Sequence, residues 1–296
     1  MIRNNPHSVD RAYKFIYFIL RIIFHTYLYG ECEKIEFVET EIASTGQRKD
    51  VSVKVDDDTI QITELMATPL NEEKLRAMFD YHESTRRNPE YKDYNIKTGV
   101  FSIAEPTHGI SMIEIDDNVT FYVDSKFAKC KDMWKVLNTL NHKSFIQKKL
   151  SNEEAVDLLV LPDMNMRKEE YREIPIEELM RTVIVLMGNV KYPSFDLKEK
   201  IFICEIMVLA RFFTGEKLIE MINMLKTAAK NPEIVQKMQE YGPGFHTIYL
   251  NGREDERIKN NIEYTRNLLE HGVDEKTILE CIDISPEELE KIKRKL

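Results

Sequence analysis

The stretch "DVSVKVDDDTIQITELM", residues 50–66, constrains the fold of this chain more than any other. Val51, Val53 and Val55 recur with a period of two, three consecutive aspartates follow, and 59–66 returns in strand-like alternation. This is the pattern of an antiparallel hairpin with its turn at 56–58. A two-stranded ribbon is marginal by itself, so other layers must cover it. Two flanking segments have helical periodicity. The first spans about 9–29, with Ser8 as the expected N-cap, Asp10 in the first turn and Gly30 as the stop. The second spans roughly 70–86, opened by Pro69 and Asn71, with Leu75, Met78, Phe79 and His82 on one stripe. Strands at 34–42, 95–103, 110–115 and 119–123 complete a predicted order α-β-β-β-α-β-β-β.

Beyond residue 125 the strand pattern disappears. Helices are predicted at 130–142, 151–160, 167–172, 176–188, 197–212, 215–229, 231–240, 253–271, 274–282 and 285–295. Three regions result: an α/β domain over 1–125, a helical extension packed on it over 126–252, and a helical tail over 253–296. Gly242, Pro243, Gly244 and Gly252 mark the break before the tail. The tail reads as helix-turn-helix-like, its last helix capped by Ser285 with Pro286 and Glu288 behind it. That helix opens on acids, and its basic residues Lys291, Lys293, Arg294 and Lys295 lie at the far end. Phosphate would be repelled at the N-terminus, so a structural or oligomerising tail is expected ahead of a DNA reader.

Charge narrows the function classes. With 51 acidic against 42 basic side chains the 296-residue chain carries a net charge of -9. A DNA-coating protein is disfavoured, and any nucleic-acid contact must rest on a local basic patch or on bound metal. Cys32, Cys130, Cys204 and Cys281 lie far apart with no C-x-x-C pair, which suggests neither zinc nor a disulfide framework. The apolar segment 11–30 is interrupted by Lys14, Arg21 and His25. The run Phe15–Leu20 is far short of the roughly 20 residues of a membrane span. A cytoplasmic protein without a membrane anchor is expected.

Chemistry-bearing residues concentrate on the hairpin. If the three valines face one layer, Asp50 points the other way, and hairpin register brings it close to Glu64 at the open end. Two carboxylates there make a hard-oxygen site suited to Mg²⁺ or Mn²⁺. On spacing alone the simpler reading of the pair is solvated strand-end charges beside an acidic turn, in a chain this rich in acids. His82 on its apolar stripe reads as a half-buried structural histidine, and His108 as a turn residue. Trp134 and the methionines between 164 and 187 read as core. No nucleophile elbow or Walker loop is present.

These residues resemble the PD-(D/E)xK nuclease superfamily, in particular the recombination-promoting nuclease/putative transposase family. "SVDRAYKFIYFIL" is similar to that family's opening helix, with Asp10 and Lys14 in its D-x-x-x-K pattern. Residues 39–83 resemble its core, "VFSIAEPTHG" the following strand and turn, and the tail its helical C-terminus. The resemblance implies a restriction-endonuclease-like central mixed sheet with flanking helices, followed by an all-helical C-terminal region. It implies Mg²⁺- or Mn²⁺-dependent hydrolysis of DNA phosphodiesters, with Asp50 and Glu64 as metal ligands. Where the family has Lys or Gln, this chain has Met66, whose thioether cannot stabilise a developing phosphate charge. Lys54, on the same strand face as Asp50, is the expected catalytic substitute; Lys74 and Arg76 are further candidates, and Glu41 an added ligand whose simpler reading is an exposed strand charge. The alternative is a catalytically inactive nuclease-fold protein acting as a binding or assembly module, with the C-terminal helices joining copies of the chain.

Overall fold

The computed structural model describes residues 6–38, 50–104, 112–116, 119–164 and 174–240, together with Thr265, Leu269, Leu289, Ile292 and Lys293. The expected helices at 167–172, 253–271, 274–282 and 285–295, the end of the 34–42 strand, Glu41 and His108 lie outside the described residues or are barely touched by them. The chain divides into two compact units, Met1–Met238 and Gln239–Leu296. The first holds a central sheet and the helices around it.

Helix α1 runs Pro6–Tyr29. It starts before Ser8, so Ser8 is an internal residue and not the N-cap. Proline suits a first helical turn because it has no amide hydrogen to leave unpaired. The buried positions Ala12, Tyr13, Ile16, Tyr17, Leu20, Phe24 and Leu28 trace one face at helical spacing. Arg21 breaks the regularity with φ 31° and ψ −105°, and Gly30, at φ 105°, ends the helix.

After α1 comes a five-stranded mixed sheet, built from β1 (Ile35–Phe37), β2 (Val51–Val55), β3 (Thr59–Met66), β4 (Asn95–Ser102) and β7 (Asp124–Phe127), in the order β1-β2-β3-β4-β7. The first three strands are antiparallel; β4 and β7 run parallel to β3 and to each other. The parallel step from β3 to β4 is made through α2 (Glu72–Arg86), as a parallel pair requires a crossover. The expected hairpin is present with Val51 opposite Thr63 and Val55 opposite Thr59. Its aspartate turn also has a packing role: Asp56 Oδ1 accepts the amides of Glu33 and Lys34, both at 2.9 Å, and ties the chain leaving α1 to the hairpin.

Strands β5 (Met112–Asp116) and β6 (Val119–Tyr122) form a separate two-stranded sheet rather than extending the central one. They cap α2: Leu70, Leu75, Met78, Val100, Ile113, Phe121 and Val123 make one buried cluster. The other face of the sheet belongs to α1, where Tyr13 meets Phe101 edge-on at 4.7 Å and Tyr29 donates to Thr63 Oγ1 at 3.1 Å. Even-numbered positions of β3 and β4 therefore face α2 and odd ones α1.

The helical patterns beyond the sheet become α3 (Met133–Phe145), α4 (Asn152–Val160), α5 (Ile176–Asn189), α6 (Phe195–Phe212) and α7 (Gly215–Ala229), with residues 232–240 also helical. Side-chain caps start three of them, Asp132, Ser151 and Ser194, the second a full capping box with Glu154. Helix α6 is buried almost all round, packed against α1, α4 and α7. Met164, Met180 and Met187 are core as expected, whereas Trp134 is only half-buried. No helix among the described residues is long and apolar enough to cross a membrane.

Candidate functional site

Continuing the β2–β3 register by one residue places Asp50 opposite Glu64, on the even face that looks toward α2. Cross-strand neighbours of this kind are in side-chain contact. The Asp50 amide donates to Glu64 Oε1 at 3.2 Å, and the Leu65 amide donates to Asp50 Oδ2 at 2.9 Å. Both carboxyl groups line a cavity of about 300 Å³ whose other wall is α2. Lys74, Ala77, Met78 and Tyr81 supply that wall, spaced so that they share one helix face.

A cation is already in place. Lys14 of α1 puts its ammonium 2.5 Å from Asp50 Oδ1, the Asp50 side chain being 17 % exposed. Burial pushes the Glu64 carboxyl well above the usual range, and the neighbouring Asp50 carboxylate pushes it further; the hydrogen bond from the Asp50 amide and the Lys14 charge oppose this. Tyr81, across the cavity, is raised too, first by burial and then by Glu64 and Asp50.

The donor set fits a hard divalent ion that keeps most of its own water. Among the described residues no group of three or more His, Cys, Asp or Glu side chains converges. Two carboxyl groups at an open cavity suit Mg²⁺ or Mn²⁺, which bind through one or two carboxylates plus water and substrate oxygens, better than the closed cages of structural zinc.

The other expected site residues are dispersed. Lys54 lies four residues along β2 from Asp50, about 13 Å by strand rise. Its ammonium sits 5.0 Å from the centre of the Tyr94 ring and 4.0 Å from Asp57, and it does not line the cavity. Met66 does line it, with its side chain packed on the α2 cluster. Lys74 borders the cavity with its ammonium bonded to the Thr68 hydroxyl and to the Pro69 carbonyl at 3.4 Å. Arg76 turns away to Glu72 at 2.8 Å. His82 is half-buried as expected: Nδ1 is 3.1 Å from Thr98 Oγ1 and its ring packs on Phe121.

Sequence reasoning missed Lys14 as a partner of Asp50. A lone lysine within an apolar helix was the signal, but hydrophobic periodicity says nothing about which strand end a helix residue reaches. No family model, curated protein or solved structure matches the chain.

Proposed function

We propose that this chain is a divalent-metal-dependent DNA endonuclease on a restriction-endonuclease-like α/β scaffold, with Asp50 and Glu64 as metal ligands. The observation that carries the reading is the placing of these two carboxyl groups side by side on paired strand ends, Glu64 Oε1 accepting from the Asp50 amide, where both line one cavity with α2. Bound Mg²⁺ or Mn²⁺ would supply a polarised water and neutralise charge on the phosphate. Asp50 and Glu64 would hold the ion through their carboxylate oxygens, and Lys14, now paired with Asp50, is the nearest cation to them. The Lys14 charge would fill the role toward a phosphate that the Met66 thioether cannot. We assign that role to Lys14 and not to Lys54, which is engaged with Tyr94 and Asp57 further along the strand.

The second reading, a silent nuclease-fold scaffold, is favoured by Met66 and by the Lys14 ammonium on Asp50. Plasmid nicking with Mg²⁺ or Mn²⁺ separates the two. The wild type is expected to nick, Asp50→Ala and Glu64→Ala to be inactive, and Lys14→Met to lose about 10²-fold or more. Equal residual nicking in all of them leaves only the scaffold.

A further inference from the structure

A chain with a net charge of -9 needs a local surface on which to receive a polyanion. The solvent side of α1 has one. Arg11, Lys14, Phe18 and Arg21 come at intervals of three, four and three residues, which is one helix face. Arg11 and Arg21 are exposed, Lys14 is partly so, and the Phe18 ring is 51 % exposed. Phe37 of the edge strand β1, 37 % exposed, completes the surface with its ring centre 5.5 Å from that of Phe18. The Arg21 guanidinium lies over both rings, 5.5 Å from the centre of Phe18 and 5.7 Å from that of Phe37. The helix kink falls at this same residue, which has a positive φ of 31° with no glycine to ease it. Strain of this kind collects at functional positions.

We propose that this stripe binds single-stranded nucleic acid and leads it to the Asp50–Glu64 cavity. Lys14 is the common member, since its ammonium touches Asp50. From Arg11 to Arg21 the helix covers about 15 Å, the length of about four stacked nucleotides. Exposed rings crossed by a guanidinium offer a stacking platform for unpaired bases, and flanking cations track the backbone. A duplex hides its base faces and would use only the cations. A solvated helix face explains Arg11 and Arg21, but not two neighbouring half-exposed phenylalanines beside them.

The inference goes beyond the cleavage reading and is tested apart from it. Fluorescence anisotropy with a labelled oligothymidine of about twelve nucleotides is measured in EDTA, so that no cleavage intervenes. The wild type is expected to bind, more weakly as salt rises. Phe18→Ala should weaken binding about tenfold and Phe18→Trp should retain it. The double variant Arg11→Ala/Arg21→Ala should weaken it and flatten the salt slope by about 1.4, two single-strand phosphate contacts. All these positions are at the surface, so the variants keep the fold. Wild-type binding in EDTA together with no wild-type nicking in Mg²⁺ supports the stripe while removing only the nuclease reading. Absence of binding, unchanged binding by the stripe variants, or a duplex of the same length bound as tightly as the single strand would overturn the proposal.

Discussion

At Gly99 the sheet lets a tyrosine ring lie on its backbone. A Cβ there would sit 2.5 Å from the Tyr29 hydroxyl oxygen and 2.6 and 2.7 Å from two ring carbons. Gly99→Ala should therefore cost about 1–3 kcal/mol, read as a lower urea midpoint at unchanged slope. Combining it with Tyr29→Phe should recover little, because the ring carbons remain. Nothing local in "NIKTGVFSI" announces this; the glycine is explained only by a residue of α1 that arrives from far away in sequence. The same holds for the site. That Asp50 and Glu64 meet was legible, because a period of two and a short turn fix which strand positions face each other. That Lys14 completes them was not, since helix-to-strand contacts are set by packing. Lys54 shows the limit of the strand argument: sharing a face with Asp50 did not bring it to the same end.

Among the elements, α1 is tied to both the sheet and the helical region. Tyr13 donates to Asp163 Oδ2 at 2.6 Å, and Arg211 of α6 grips the same carboxylate with two bonds of 2.6 and 2.7 Å. Asp163 and Arg211 are both almost wholly buried. Further along the helix, Tyr27 donates to Asp157 of α4 at 2.9 Å, an oxygen shared with Lys131 at 2.7 Å. Asp163→Ala would strand a buried guanidinium and remove the acceptor of Tyr13. It should destabilise the protein by about 3–5 kcal/mol, seen as a fall in Tm of roughly 10 °C; a shift within error would contradict the packing described. Most of these helices were visible in the sequence, where caps such as Ser151 with Glu154 and apolar stripes act over four residues. Strand β7 was not, because "DSKF" has no apolar alternation and becomes a strand only by pairing with β4. The separation of β5 and β6 from the main sheet was equally hidden, for strand patterns carry no record of partners.

For the molecule as a whole, acid sensitivity has an identifiable source. His25 is buried against Tyr17, whose hydroxyl is 2.7 Å from Nδ1, with Tyr29 beside it. Burial lowers it from 6.5 to about 4, Asp56 pulling upward and Lys97 downward. The unfolded chain therefore takes up a proton that the folded chain refuses between pH 6.5 and about 4. Stability contributed by this site is present above that window and lost as pH falls through it, by up to about 3 kcal/mol. Glu64, raised by burial, titrates with the opposite sign, losing stability as pH rises. The difference in unfolding free energy between wild type and His25→Gln, from urea titrations repeated at several pH values across that window, isolates the histidine, and parallel curves of stability against pH would refute this assignment. One arrangement bears on any attempt to re-engineer the chain. Tyr13, gripped through Asp163 by α6, and Lys14, the counter-ion of Asp50, are adjacent residues. Repacking the interior around Arg211 would consequently drag the ammonium across the carboxyl pair, so the two regions must be redesigned jointly or left alone.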